Sequence, residues 1–121
     1  MESILETIKQ LILGDKTAEG FDTDLIVDIN YAFMRLNQLG VGPIKTFLIT
    51  GAIEKWSDFL GADTDLEGVK TYVHLKTKLL FDPPATSFGI EALQGMISEL
   101  EFTLPAQKEG VLADGQQSIN Y

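Results

Sequence analysis

The stretch from Val69 to Leu104, VKTYVHLKTKLLFDPPATSFGIEALQGMISELEFTL, constrains this chain more than any other. It reads as two helices folded back on each other around Asp82-Pro83-Pro84. Two successive prolines cannot continue a helix, because each lacks a backbone N–H and restricts the residue before it. The first of the two helices starts at Asp63, Thr64 or Asp65 and runs to about Phe81, with Leu66, Val69, Tyr72, Val73, Leu79 and Leu80 as a broad apolar face. Asp65 and Glu67 sit at the positive end of its dipole, and Lys76 and Lys78 lie toward the negative end. Ser87 can cap the second helix, from about Phe88 to Thr103, with Leu93, Met96, Ile97, Leu100 and Leu104 on one face and Pro105 as its stop.

The first half adds shorter helical patterns. Ser3 and Glu6 form a capping box for a helix reaching Leu13, with Ile4, Leu5, Ile8, Leu11 and Ile12 at helical spacing and Gly14 as its stop. Asp22 or Thr23 then caps a helix to about Gln38, whose stripe is Leu25, Ile29, Ala32, Phe33, Leu36 and Leu39. Gly40, Gly42 and Pro43 end it. Residues 44–53 read as either a short edge strand or an extended loop, because Lys45-Thr46-Phe47-Leu48-Ile49-Thr50 is strand-like in composition. Glu54 to Leu60 reads as a short helix anchored by Trp56, Phe59 and Leu60. The expected fold is therefore mainly α: a small bundle of four to five helices with a C-terminal helical hairpin. Residues 1–105 form the domain, and the polar composition of 106–121 predicts a flexible tail.

At 121 residues the chain makes one domain with one modest core. It has no cysteine, which excludes disulfides and thiolate metal sites. A formal net charge of −9 repels phosphate backbones, so free nucleic acid is not the expected ligand. The start, Met1-Glu2-Ser3-Ile4-Leu5-Glu6, lacks the positive region of a signal peptide. No apolar run approaches the roughly 18 residues of a membrane span.

Catalytic and ligand-binding patterns are sparse. His74 is the only histidine, without a nucleophile or carboxylate placed beside it by sequence, and reads as an ordinary helix residue. Asp63-x-Asp65-x-Glu67-Gly68 shares the start of a calcium loop, but Glu67 and His74 occupy liganding positions that need Asp or Asn and Glu, so it reads as an acidic helix start. Gly40-Val41-Gly42-Pro43 lacks the Lys-Ser/Thr of a phosphate loop, and neither G-x-S-x-G nor H-E-x-x-H occurs. No catalytic, cofactor or metal residue is assigned, and no enzymatic activity is expected. Lys70 and Lys78 share a helix face with Tyr72 nearby; they read as a solvated flank or as salt-bridge donors to a partner. Trp56 and Phe59 read as core anchors or as an interface, since aromatic residues serve both. Leu75 lies outside the main apolar face of its helix and is a further interface candidate.

Several segments resemble the head–tail connector (adaptor) proteins of long-tailed bacteriophages. They are Leu39-Gly40-Val41-Gly42-Pro43, Thr50-Gly51, Trp56-Ser57-Asp58-Phe59-Leu60, Asp65-Leu66-Glu67 and Val69-Lys70-Thr71-Tyr72-Val73. Leu75-Lys76-x-Lys78-Leu79-Leu80-Phe81-Asp82-Pro83-Pro84 and Ile97-Ser98-Glu99-Leu100-Glu101 continue the resemblance. It spans about residues 1–110. The family often places a basic residue after an aromatic near Phe102, where this chain has Thr103. The resemblance implies a structural virion protein at the head–tail interface, made in the bacterial host cytoplasm. It implies a ring beneath the portal, dodecameric by the portal's symmetry, that extends the DNA channel without sequence-specific binding and docks tail or neck (stopper) proteins. It implies no cofactor and no membrane. From the residues alone, a monomeric or dimeric helical adaptor for a host or regulatory protein, with Trp56 and Phe59 as anchors, is the alternative.

Overall fold

A computed structural model describes residues 2–60 and 67–114. Five helices follow in order: α1 (Ile4–Leu13), α2 (Asp22–Gln38), α3 (Trp56–Leu60), α4 (Glu67–Phe81) and α5 (Ser87–Asp114). The only β pairing among the described residues is one antiparallel bridge between Ser3 and Lys55. The all-helical architecture is thus the one the periodicity predicts.

Local chemistry sets most of the ends. Ser3 stays extended and its Oγ accepts from the Glu6 N–H at 3.3 Å, while Gly14 closes α1 at φ 76°. The expected cap of α2 is corrected. Phe21 occupies the N-cap position without a side-chain bond, and Asp22 lies inside the first turn. Asp22 is drawn away from capping by Lys9, whose Nζ it meets at 2.9 Å. Ser87 is likewise not the cap of α5. The Thr86 hydroxyl takes that role, accepting from the Gly89 N–H at 3.0 Å, while the Thr86 carbonyl accepts from the Ile90 N–H.

The expected stop at Pro105 is also corrected, since α5 runs through it to Asp114. Proline's fixed φ is helical, so its ring removes one hydrogen bond and crowds one carbonyl without forbidding the turn. Leu104, almost fully buried, holds the helix against α4 just before it. The expected flexible tail, 106–121, is therefore corrected over 106–114, which continue α5; its remainder, 115–121, lies outside the described residues, as do Asp63, Thr64 and Asp65, the expected start of α4.

The segment between α2 and α3 is an extended loop, not a strand. Asn30 explains why. Its side-chain amide accepts from the Ile49 N–H at 2.8 Å and donates to the Ile49 carbonyl at 2.9 Å, so a side chain of α2 supplies the pairing a neighbouring strand would give. Next, the Glu54 carboxylate holds Thr50 Oγ1 at 2.7 Å and accepts from the Gly51 N–H at 3.3 Å. The chain then pairs with the N-terminus through Ile4 N–H to Glu54 O and Trp56 N–H to Glu2 O. Because Glu54 serves this turn, α3 begins two residues later than expected, at Trp56.

α4 packs against both α2 and α5, and α1 lies against α2 and α4. Their buried faces, including Ile4, Leu25, Ile29, Phe33, Val69, Tyr72, Val73, Leu93 and Ile97, form one core. Gly68 lets α5 approach closely, since a Cβ there would press on Leu104. Leu11, Leu80 and Met96, expected inside, are about half exposed. A domain this small has too few elements to cover both flanks of every helix.

Gly40 and Gly42 separate two uses of glycine. Both have positive φ, 79° and 95°, but a Cβ at Gly40 meets open space whereas one at Gly42 runs into the Phe59 ring. Gly40→Ala is expected to cost about 1 kcal/mol from backbone strain alone. Gly42→Ala should cost about 3 kcal/mol because overpacking adds to the strain. Urea denaturation of the two variants checks the order.

Candidate functional site

Trp56 is fully buried, with its Nε1–H donating to Thr7 Oγ1 at 3.0 Å. Phe59 is buried beside Phe33, ring centroids 5.0 Å apart. Of the two roles considered for these aromatics, the folded chain shows the core one, and neither is offered to a partner from its surface. Lys70 lies over Trp56, its Nζ 6.0 Å from the ring centroid and 3.7 Å from Glu67. Lys78 donates to the Asp82 carbonyl at 3.1 Å and reaches its carboxylate at 3.5 Å, closing the last turn of α4. Asp82, Pro83 and Pro84 then form the turn into α5, and Pro84 lies close against Gly89.

His74 is half-buried. Burial, and then Lys78 one turn away, lower its pKa, so the ring is neutral at neutral pH. No hydrogen bond joins it to a carboxylate or hydroxyl among the described residues. No group of three or more His, Asp or Glu side chains suited to a metal occurs among them either.

The most connected polar group is Glu101, which sequence reasoning did not single out. Its carboxylate accepts from Tyr72 Oη at 2.6 Å, meets Arg35 Nη2 at 3.4 Å and lies 3.7 Å from Lys76 Nζ. Lys76 in turn sits 5.5 Å from the Tyr31 ring centroid. One carboxylate thereby joins α2, α4 and α5. Burial opposes its ionisation, but the Tyr72, Arg35 and Lys76 contacts prevail and hold its pKa below the ordinary value. Burial and the same carboxylate push the Tyr72 phenol far up, so it stays a donor. Lys76 and Glu101 also border a shallow open groove of about 340 Å³ with Leu79, Gln94, Ile97 and Ser98, but the carboxylate is already engaged by Tyr72, Arg35 and Lys76, the geometry of a structural cross-tie.

The surface also carries exposed apolar features. On α5, Phe88, Ala92, Gly95, Glu99, Phe102 and Ala106 follow alternating steps of four and three, and all are exposed. Phe88 and Phe102 are 81% and 77% accessible, too much for aromatic residues serving only this domain's core. Beside that row, Thr71, Leu75, Met96, Glu99, Leu100 and Thr103 line a groove of about 300 Å³ between α4 and α5. Leu75 is thus buried within the chain but lies at an apolar groove. A second apolar feature is Ile44, fully exposed at the tip of the loop after α2. Gly40, Gly42 and Pro43 fix the path of that tip, and Asn37 Nδ2 donates to the Ile44 carbonyl at 3.0 Å.

Because Glu101 has a depressed pKa, its stabilisation is complete above the unfolded value of 4.5 and is lost as pH falls through the lower folded value. Glu101→Gln should lose about 2 kcal/mol at neutral pH, since it leaves partly buried cations unpaired. Its stability should also fall less than the parent's on acidification below 4.5, which denaturation at a series of pH values checks.

Comparison with curated proteins and with solved structures gives no match. A family model described as phage connector protein matches residues 4–111, which takes in all of α1 to α4 and α5 nearly to its end. With that much of its length matched, the chain belongs to the phage connector protein family.

Proposed function

We propose that this protein is a structural component of a phage virion that assembles as a ring between portal and tail, extending the DNA channel and docking the tail. The observation that carries the reading is the family match over residues 4–111. The physical features agree with it. Rings need two different patches on each subunit, joined head to tail until the circle closes. This chain has exposed apolar features on α5 and at the loop after α2. A net charge of −9 suits a channel component through which DNA slides, because phosphates find few cations to hold them. Portal protein on one side and tail or neck proteins on the other are the expected partners, with the virion neck as the place of action. Twelve copies would match a twelvefold portal.

The adaptor alternative relied on Trp56 and Phe59 as protein-binding anchors, and both are enclosed in the core. No helix among the described residues is long and apolar enough to cross a membrane.

Mass photometry of the purified protein, alone and mixed with the portal of the same phage, tests the reading. A ring-sized species, strongest with portal, is the expected result. A monomer or dimer that ignores portal at micromolar concentration would overturn it and favour the adaptor.

A further inference from the structure

We infer that the loop tip Ile44-Lys45 of one subunit seats in the α4–α5 groove of the next copy, with Ile44 against Leu75, Met96 and Leu100 and Lys45 paired to Glu99. The inference rests on the ring reading above and names the contact that closes the ring.

Four observations converge on it. The first is the tip itself. Ile44 is fully exposed, yet its backbone is held by Asn37 and its approach is set by two positive-φ glycines and Pro43. An apolar side chain on a pre-formed loop loses little freedom on binding. The second is the groove, whose lining includes Leu75, Met96 and Leu100 and has Glu99 as its only charged residue. A short aliphatic side chain with a cation beside it matches that surface.

The third observation is charge. Neither Lys45 nor Glu99 has an ion-pair partner among the described residues; Lys16 and Lys55 also lack one, but Lys45 is the one that directly follows the fully exposed Ile44. In a chain of net charge −9, a cation beside an exposed isoleucine is well placed to select an apolar groove whose one charge is a carboxylate.

The fourth is placement. The loop follows the flank of α2 marked by Asn30, Phe33 and Asn37. Arg35 leaves the other flank of α2 to reach Glu101 of α5. On α5, Met96 and Thr103 of the groove lie on the side turned away from Glu101 by helical spacing. Tip and groove therefore belong to different sides of one subunit. A contact between them joins two copies head to tail, the kind of contact that closes into a ring.

The chain contains no cysteine, so an introduced pair reports the contact directly. Ile44→Cys combined with Met96→Cys, oxidised with portal present, should give a ladder of covalent dimers, trimers and larger multimers. Each single variant should give no product beyond a dimer. As a second arm, Lys45→Glu or Glu99→Lys alone should lower ring yield about tenfold or more, and the double exchange should restore it, with melting unchanged because both side chains are exposed. Wild-type rings with no ladder and undiminished assembly of the single variants would overturn the contact while leaving the ring reading intact. Attachment of the thiol at position 96 to portal, in place of a second copy, would also overturn it. Absence of any ring from the wild type would overturn the ring reading itself.

Discussion

The packing of aromatic rings around Phe33 is the interaction on which the rest of this small domain depends. Phe33 of α2 lies 5.1 Å from Phe47, 5.0 Å from Phe59 and 6.5 Å from Trp56 by ring centroids, and Phe47 and Phe59 are 5.4 Å apart. The segment from Val41 to Lys55 has no helix of its own and only one bridge pair at its end. Aromatic contacts and the amide of Asn30 hold it in place. Each such aromatic pair contributes about 1 kcal/mol beyond area burial. Removal of a buried ring would cost about 3–5 kcal/mol, a large share of what a domain of this size has.

That cluster has a consequence at the surface. Phe59 fills the space where a side chain at residue 42 would go, so only glycine fits there. The Schellman turn ending α2 supplies the step before it: Gly40 N–H bonds Asn37 O and Val41 N–H bonds Leu36 O, with Val41 and Leu36 both buried. Core packing thus fixes the chain direction two residues before Ile44. A rigid apolar tip is the product of interior geometry, and it connects the core to the proposed assembly contact.

The second tie is electrostatic. Glu101 draws Tyr72, Arg35 and Lys76 together and so sets α5 against both α2 and α4. Its position leaves the other side of α5 without a covering element, and Phe88 and Phe102 stand there in solvent. An amphipathic helix normally has one apolar face, directed inward. α5 is apolar on opposite faces, one for this core and one unmatched within the chain, as expected of an element shared between subunits.

Sequence alone determined the helices, the hairpin at Asp82-Pro83-Pro84 and most of the core, because each follows from local periodicity or from proline and glycine chemistry. Leu25, Ile29, Phe33, Val69, Tyr72, Val73, Leu93 and Ile97 are buried as their spacing requires. The connector family was legible in motifs such as Leu39-Gly40-Val41-Gly42-Pro43, and the match over residues 4–111 bears it out. Tertiary structure decided what depends on partners distant in sequence. Asn30 turned a strand-like run into a loop, and Lys9 drew Asp22 away from capping α2. Trp56 and Phe59 went inward, while Met96 and Leu11, on stripes of similar strength, stayed half exposed. Periodicity says which side chains share a face of a helix, but only the packing of the helices decides which faces find a neighbour.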